Sequence, residues 1–189
     1  MSAHQDDLRH ALKLAAAALK AEGPDFALAG SYALWVHGAP EPVHDVDLVV
    51  AEKDAEAAAT TLADAGFAVE RTPEDWLFKA SMAGAVVDVL HCVNGVTVGA
   101  DLISDAARYE VLAISMPVLS PTVVICQKLK SLNEHHCDFA ALLPATRAVR
   151  EQVDWSRVRA ETAENAFAAA FLFLADRLAI IPGSGINGK

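Results

Sequence analysis

The sequence predicts an α/β chain. A mixed sheet flanked by helices occupies residues 1–119, a helical part follows over 120–181, and a short tail rich in Gly and Ser closes the chain over 182–189. Three observations carry this reading. Ala-rich segments with helical spacing alternate with short, partly β-branched apolar runs in the first part. Two apolar runs joined by Met82-Ala83-Gly84 read as a hairpin, so the sheet mixes strand directions. Ser120-Pro121 reads as the N-cap and first residue of a helix, and beyond it the pattern is helical throughout.

The elements follow in order. Residues 4–22 carry Leu8, Leu12, Ala15, Ala16 and Leu19 on one helical stripe, stopped by Gly23-Pro24. Phe26–Ala29 is the first strand. Ser31 is a good N-cap for a short amphipathic helix, Tyr32 to His37, which Gly38 and two prolines close. Asp45–Ala51 is the second strand, Lys53 to Ala65 a second Ala-rich helix with Gly66 behind it, and Phe67–Glu70 a third strand. A loop over 71–75 leads into the hairpin of Trp76–Ser81 and Ala85–Val93, and Asn94-Gly95 is a turn. Asp101–Arg108 fits one or two helical turns, and Tyr109–Leu119 fits either a strand pair or an edge strand. Residues 121–134, 136–150, 154–163 and 164–181 read as helices. In the last, Phe167, Phe171, Leu174, Leu178 and Ile181 form a stripe, and Phe173 and Ile180 add a second apolar side. A helix apolar on most faces is buried, so this one is expected at the centre of the helical part or in a homodimer interface.

Bulk properties narrow the function. The net charge of −10 argues against broad electrostatic binding of nucleic acid. With 53% hydrophobic residues the chain can bury a sizeable core. Cys92, Cys126 and Cys137 are odd in number and widely spaced, which fits buried free thiols in a reducing cytoplasm. The first residues are polar rather than an apolar leader, and the longest apolar run, Ala166 to Ala175, has ten residues, too short to span a bilayer. The expected setting is therefore cytoplasmic, with no membrane partner.

Chemistry concentrates between Gly30 and Val50. Asp45 and Asp47 lie two apart, so on a strand they share a face, and carboxylates spaced roughly 6–7 Å along it can hold divalent cations together. Gly30 permits close backbone approach, and a helix start at Ser31 offers free N–H groups to a phosphate. Asp88 stands inside Ala85-Val86-Val87-Asp88-Val89-Leu90, apolar on both faces. A carboxylate there is costly unless it is paired, hydrogen-bonded or coordinating a metal.

These residues resemble the signature of the DNA polymerase β-like nucleotidyltransferase superfamily: an apolar residue, Gly-Ser, about a dozen residues, then Asp-apolar-Asp-apolar, with a third acid on a later strand. The likeness spans about residues 26–93. It implies a nucleotidyltransferase that uses Mg²⁺ or Mn²⁺ to move an NMP from an NTP to a hydroxyl acceptor with release of pyrophosphate. By the resemblance Asp45, Asp47 and Asp88 are the catalytic and metal-binding acids, and Gly30 and Ser31 bind the phosphates. Lys128 or Lys130 contacts the triphosphate, as in abortive-infection toxin-type members. The acidic net charge favours a small-molecule or protein acceptor over nucleic acid.

Two residues depart from the pattern. Glu41 and Val43 stand where many relatives place Arg and Thr. An acid beside the phosphates weakens nucleotide affinity, which keeps open a second reading: a catalytically degenerate binding or regulatory protein on the same scaffold, or a component of a toxin-antitoxin system. Two other clusters rank low. His44-Asp45 evokes metal-dependent phosphohydrolases, whose ligands lie on helices, whereas this pair enters a strand. His135-His136-Cys137-Asp138 are adjacent, point about 100° apart on a helix and cannot converge on one ion.

Overall fold

The structure, a computed structural model, describes residues 3–73 and 75–181. The predicted tail over 182–189 lies outside these residues.

Helix α1 (Ala3–Glu22) leads to β1 (Phe26–Leu28), α2 (Gly30–Val36), β2 (Val46–Val50), a 3₁₀ turn over Glu52–Asp54, α3 (Ala55–Asp64) and β3 (Ala68–Arg71). The hairpin follows as β4 (Leu77–Met82) and β5 (Ala85–Leu90), then a second, small hairpin, β6 (Cys92–Val93) and β7 (Val96–Thr97). After α4 (Ala100–Ser104) come β8 (Ala107–Val111) and β9 (Ile114–Val118), which resolves the 109–119 stretch as a strand pair. Its turn is Leu112-Ala113, with φ of 51° and 66°, the left-handed pair that a two-residue hairpin needs.

Seven strands form one sheet in the order β3-β4-β5-β2-β1-β9-β8. It is mixed as predicted: β2 runs parallel to β5 and β1 parallel to β9, while the other neighbours are antiparallel. Side chains alternate along each strand, so each strand serves two layers. Phe78, Ala80, Val87 and Val89 are buried on the face against which α1 and α3 pack. Asp47, Val49, Asp88 and Leu90 take the opposite face, and α2 packs beside them on β2.

The helical part comprises α5 (Pro121–Lys130), α6 (Phe139–Val149), α7 (Trp155–Glu161) and α8 (Ala166–Arg177). Ser120 caps α5 as expected, its hydroxyl accepting from the Val123 N–H, with Pro121 at the first turn. Helix α5 packs on α2, α7 and α8, and one continuous cluster of buried side chains runs from Leu8 through the sheet to Phe171 and Ile181.

Several expectations need correction. Helix α6 begins at Phe139 rather than 136, because Asp138 supplies the cap by accepting from the Ala141 N–H. The last helix spans Ala166–Arg177 rather than 164–181, and one of its faces is buried within the chain. Ala168, Phe171, Leu172 and Ala175 face inward, whereas Phe173 and Leu178 are exposed. Of the three free thiols only Cys126 is buried, and Cys137 is exposed. No described helix is long and apolar enough to cross a membrane.

Candidate functional site

The site forms where β2 and β5 run side by side. Their parallel register places Asp47 directly opposite Asp88. Asp45 lies just before β2 instead of within it, yet its carboxylate joins the other two: ligand atoms of Asp45, Asp47 and Asp88 all lie within 4.8 Å of one another. Three hard oxygen donors this close suit a divalent cation. His44, exposed at the strand entry, is not one of the cluster.

The electrostatics reflect crowding. Burial pushes the Asp47 carboxyl up to about 6, Asp45 and then Asp88 push the same way, and Lys128 and the Ser31 backbone N–H oppose them. Asp88 is 8% exposed. Burial raises its pKa, and the ammonium of Lys79 holds it down. Lys79 Nζ donates to both oxygens of Asp88, at 3.1 and 3.3 Å. The costly buried carboxylate thus has a lysine partner.

The Gly30-Ser31 segment is built differently from its prediction. Helix α2 starts at Gly30, the residue in the N-cap position is Ala29, and no side chain caps it. Ser31 is already inside the helix, and its backbone N–H, expected to face a phosphate, donates to Asp47. Gly30 adopts φ +55°, and a Cβ there would lie 1.7 Å from Asp47 Oδ2, so only glycine leaves room for this carboxylate.

From Asp47 a cleft of about 640 Å³ runs between the sheet and α5. Val49 and Leu90 line the sheet side, Cys92 of the small hairpin adjoins them, and Val124, Gln127 and Lys128 of α5 with its C-cap Ser131 line the helix side. Gly30 and Trp76 also line it. Of the two candidate lysines, Lys128 therefore reaches the cleft. Lys130 turns away and donates to Glu161 at 2.7 Å, an acid that Arg157 also holds.

Glu41 does not stand free beside the phosphate route. Arg9 engages both its oxygens, Nε to Oε1 and Nη2 to Oε2, each at 2.6 Å. The charge that counted against nucleotide binding is balanced from α1. Val43 is exposed. The 135–138 cluster is a turn between α5 and α6, where Asn133 Oδ1 accepts from the His135 and His136 N–H groups, and it forms no ion site.

Sequence reasoning missed Lys79, although a signal existed. A two-residue turn at Ala83-Gly84 pairs Met82 with Ala85, and counting back along the hairpin sets Lys79 opposite Asp88.

No family model matches the sequence, and no curated protein matches it. Solved structures do. The crystal structure of ANT(2″)-Ia in complex with adenylyl-2″-tobramycin superposes with a TM-score of 0.61 at 13% identity, over 88% of this chain and 97% of that one. The solution structure of the same antibiotic-resistance factor gives 0.58 at 13% identity, over 90% and 96%. A Thermotoga maritima protein assigned to the nucleotidyltransferases, TM1012, gives 0.50 at 20% identity, over 61% and 78%. At these identities the likeness is one of architecture, and the chain has the nucleotidyltransferase fold.

Proposed function

We propose that this protein is a metal-dependent nucleotidyltransferase that moves an NMP from an NTP to a hydroxyl of a small molecule. One observation carries the reading: three carboxylates from the Asp45-Val46-Asp47 segment and Asp88 converge within 4.8 Å beside a nucleotide-sized cleft, on a sheet with this fold. Mg²⁺ or Mn²⁺ held by Asp45, Asp47 and Asp88 would neutralise the triphosphate and stabilise charge on the attacking and leaving oxygens.

The chain's own groups do the rest. Gly30 brings bare backbone against the phosphates, the Ser31 N–H holds Asp47 in place beside them, and Lys128 supplies a cation from α5. The acceptor oxygen forms a bond to the α-phosphorus while the bond from that phosphorus to the leaving pyrophosphate breaks. Asp88, opposite Asp47 in the β2–β5 register, takes the hydroxyl proton. The apolar walls of the cleft, Val49, Leu90 and Val124, exclude water from the reacting groups. A net charge of −10 disfavours nucleic-acid acceptors, and a small-molecule acceptor accords with the tobramycin adduct seen in ANT(2″)-Ia. The Arg9–Glu41 pair removes the main argument for a degenerate binder.

The test is calorimetry with ATP, GTP, CTP and UTP, with and without Mg²⁺ or Mn²⁺, followed by transfer of labelled NMP to a small-molecule extract. Metal-dependent binding in the wild type and its loss in Asp45→Asn/Asp47→Asn are expected. Failure to bind any NTP would refute the reading, and binding without transfer would return the degenerate binder.

A further inference from the structure

Lys79 is the group at this site that neither the motif nor the proposed reaction uses. It occupies a fixed place. The pairings Glu70↔Lys79, Lys79↔Asp88 and Asp47↔Asp88 align four charged residues in one row across β3, β4, β5 and β2, all on the face of the cleft. Within the row Lys79 Nζ reaches both Asp88 oxygens, at 3.1 and 3.3 Å. An ammonium bonded to both oxygens covers one side of the carboxylate, so a cation that shares Asp88 has the Asp47 side left to it.

Charge arithmetic points the same way. Asp45, Asp47 and Asp88 carry three negative charges, and Lys79 and Lys128 return two. One divalent cation brings this group to +1, and a second brings it to +3, an unfavourable pile-up within a few ångströms. An arriving triphosphate restores the balance.

Resting on the nucleotidyltransferase reading, we propose that Lys79 is a positioning residue that occupies the outer side of Asp88. It holds the nucleotide-free site to a single divalent cation, so that a second enters only with the triphosphate. The step is electrostatic and involves no bond making. If Lys79 only braced β4 against β5, removing its charge would loosen Asp88 and weaken metal binding. If it excludes a cation, removing its charge strengthens metal binding.

Mn²⁺ titration followed by electron paramagnetic resonance of the free ion, on the full chain without nucleotide, reads the sign directly. Lys79→Met keeps the aliphatic stem and removes the charge, Lys79→Arg keeps the charge, and Asp47→Asn removes a ligand. The expected results are one Mn²⁺ per wild-type chain, the same for Lys79→Arg, and two for Lys79→Met, with half-saturation lowered about tenfold. Equal or weaker binding by Lys79→Met, with wild-type binding that Asp47→Asn abolishes, overturns the Lys79 proposal and leaves the nucleotidyltransferase reading intact. Absence of Mn²⁺ binding in every variant, with or without NTP, overturns both.

Discussion

Replacing Gly30 by alanine tests how the site is assembled, since two separate costs meet at one atom. The residue sits at φ +55°, and forcing an L side chain into the left-handed region costs about 1–2 kcal/mol. The new Cβ also falls 1.7 Å from Asp47 Oδ2, where ordinary contact begins near 3.4 Å. The carboxylate must leave. A displaced rotamer costs about 1 kcal/mol, and the charge-assisted bond from the Ser31 N–H is worth about 1.5–3 kcal/mol. Together these give about 3.5–6 kcal/mol, which for a chain of this size lowers Tm by roughly 7–24 °C. Gly38→Ala is the internal control. There φ is +104° but nothing lies within 4 Å of the built Cβ, so only the backbone cost of about 1–2 kcal/mol applies. Urea denaturation of both variants, with Mn²⁺ binding measured alongside, separates the terms. Gly30→Ala matching Gly38→Ala in stability, or binding Mn²⁺ like wild type, would refute the claim that Gly30 makes room for Asp47.

Three further outcomes are expected. Because the Asp47 carboxyl is raised from 3.8 to about 6, its ionisation penalises the fold above pH 6 and not below pH 4. Metal-free wild type should therefore gain about 2 kcal/mol relative to Asp47→Asn as pH falls from 7 to 4, and Mg²⁺ should cancel much of the difference. Urea midpoints across that range check it, and a pH-independent difference refutes it. Phe171→Asp, at a fully buried position, should cost several kcal/mol, whereas Phe173→Ser, on the exposed side of α8, should leave Tm within a degree or two, as read by calorimetry. Glu41→Gln should lose about 1 kcal/mol, since it removes the charge and one of the two hydrogen bonds that Glu41 accepts from Arg9. Glu41→Arg, by setting two guanidinium groups together, should destabilise the fold without tightening NTP binding, and calorimetric titration decides that.

What the sequence disclosed depended on how far apart the partners lie along the chain. Asp45, Asp47 and Asp88 were legible because local patterns carry them: two acids at a strand entry, and one acid in a run otherwise apolar on both faces. The mixed sheet and the Ser120-Pro121 helix start were legible for the same reason. The role of Glu41 was not, since its partner Arg9 is 32 residues away and no local pattern joins them. Ser31 looked like an N-cap because its residue type favours caps, but the backbone turns at Gly30 first, so Ser31 falls inside α2. Lys128 and Lys130 are two residues apart and alike in composition, and the 100° step of a helix sends them to different partners. The exposure of Phe173 depends on which side of α8 meets α5, a tertiary choice that an all-round apolar segment leaves undetermined.

The row that joins Glu70, Lys79, Asp88 and Asp47 also makes one short loop act as a ruler. Ala83 and Gly84, with φ of 52° and 85°, close the β4–β5 hairpin in two residues and so set its count. Surface loops usually accept an inserted residue at little cost. Here a slip of one position would carry Lys79 to the α1 and α3 side and bring Phe78 or Ala80 opposite Asp88. The hairpin could still pair every backbone group while its chemistry was gone. Length at this turn is therefore a functional constraint of its own, separate from the identity of any side chain in the site.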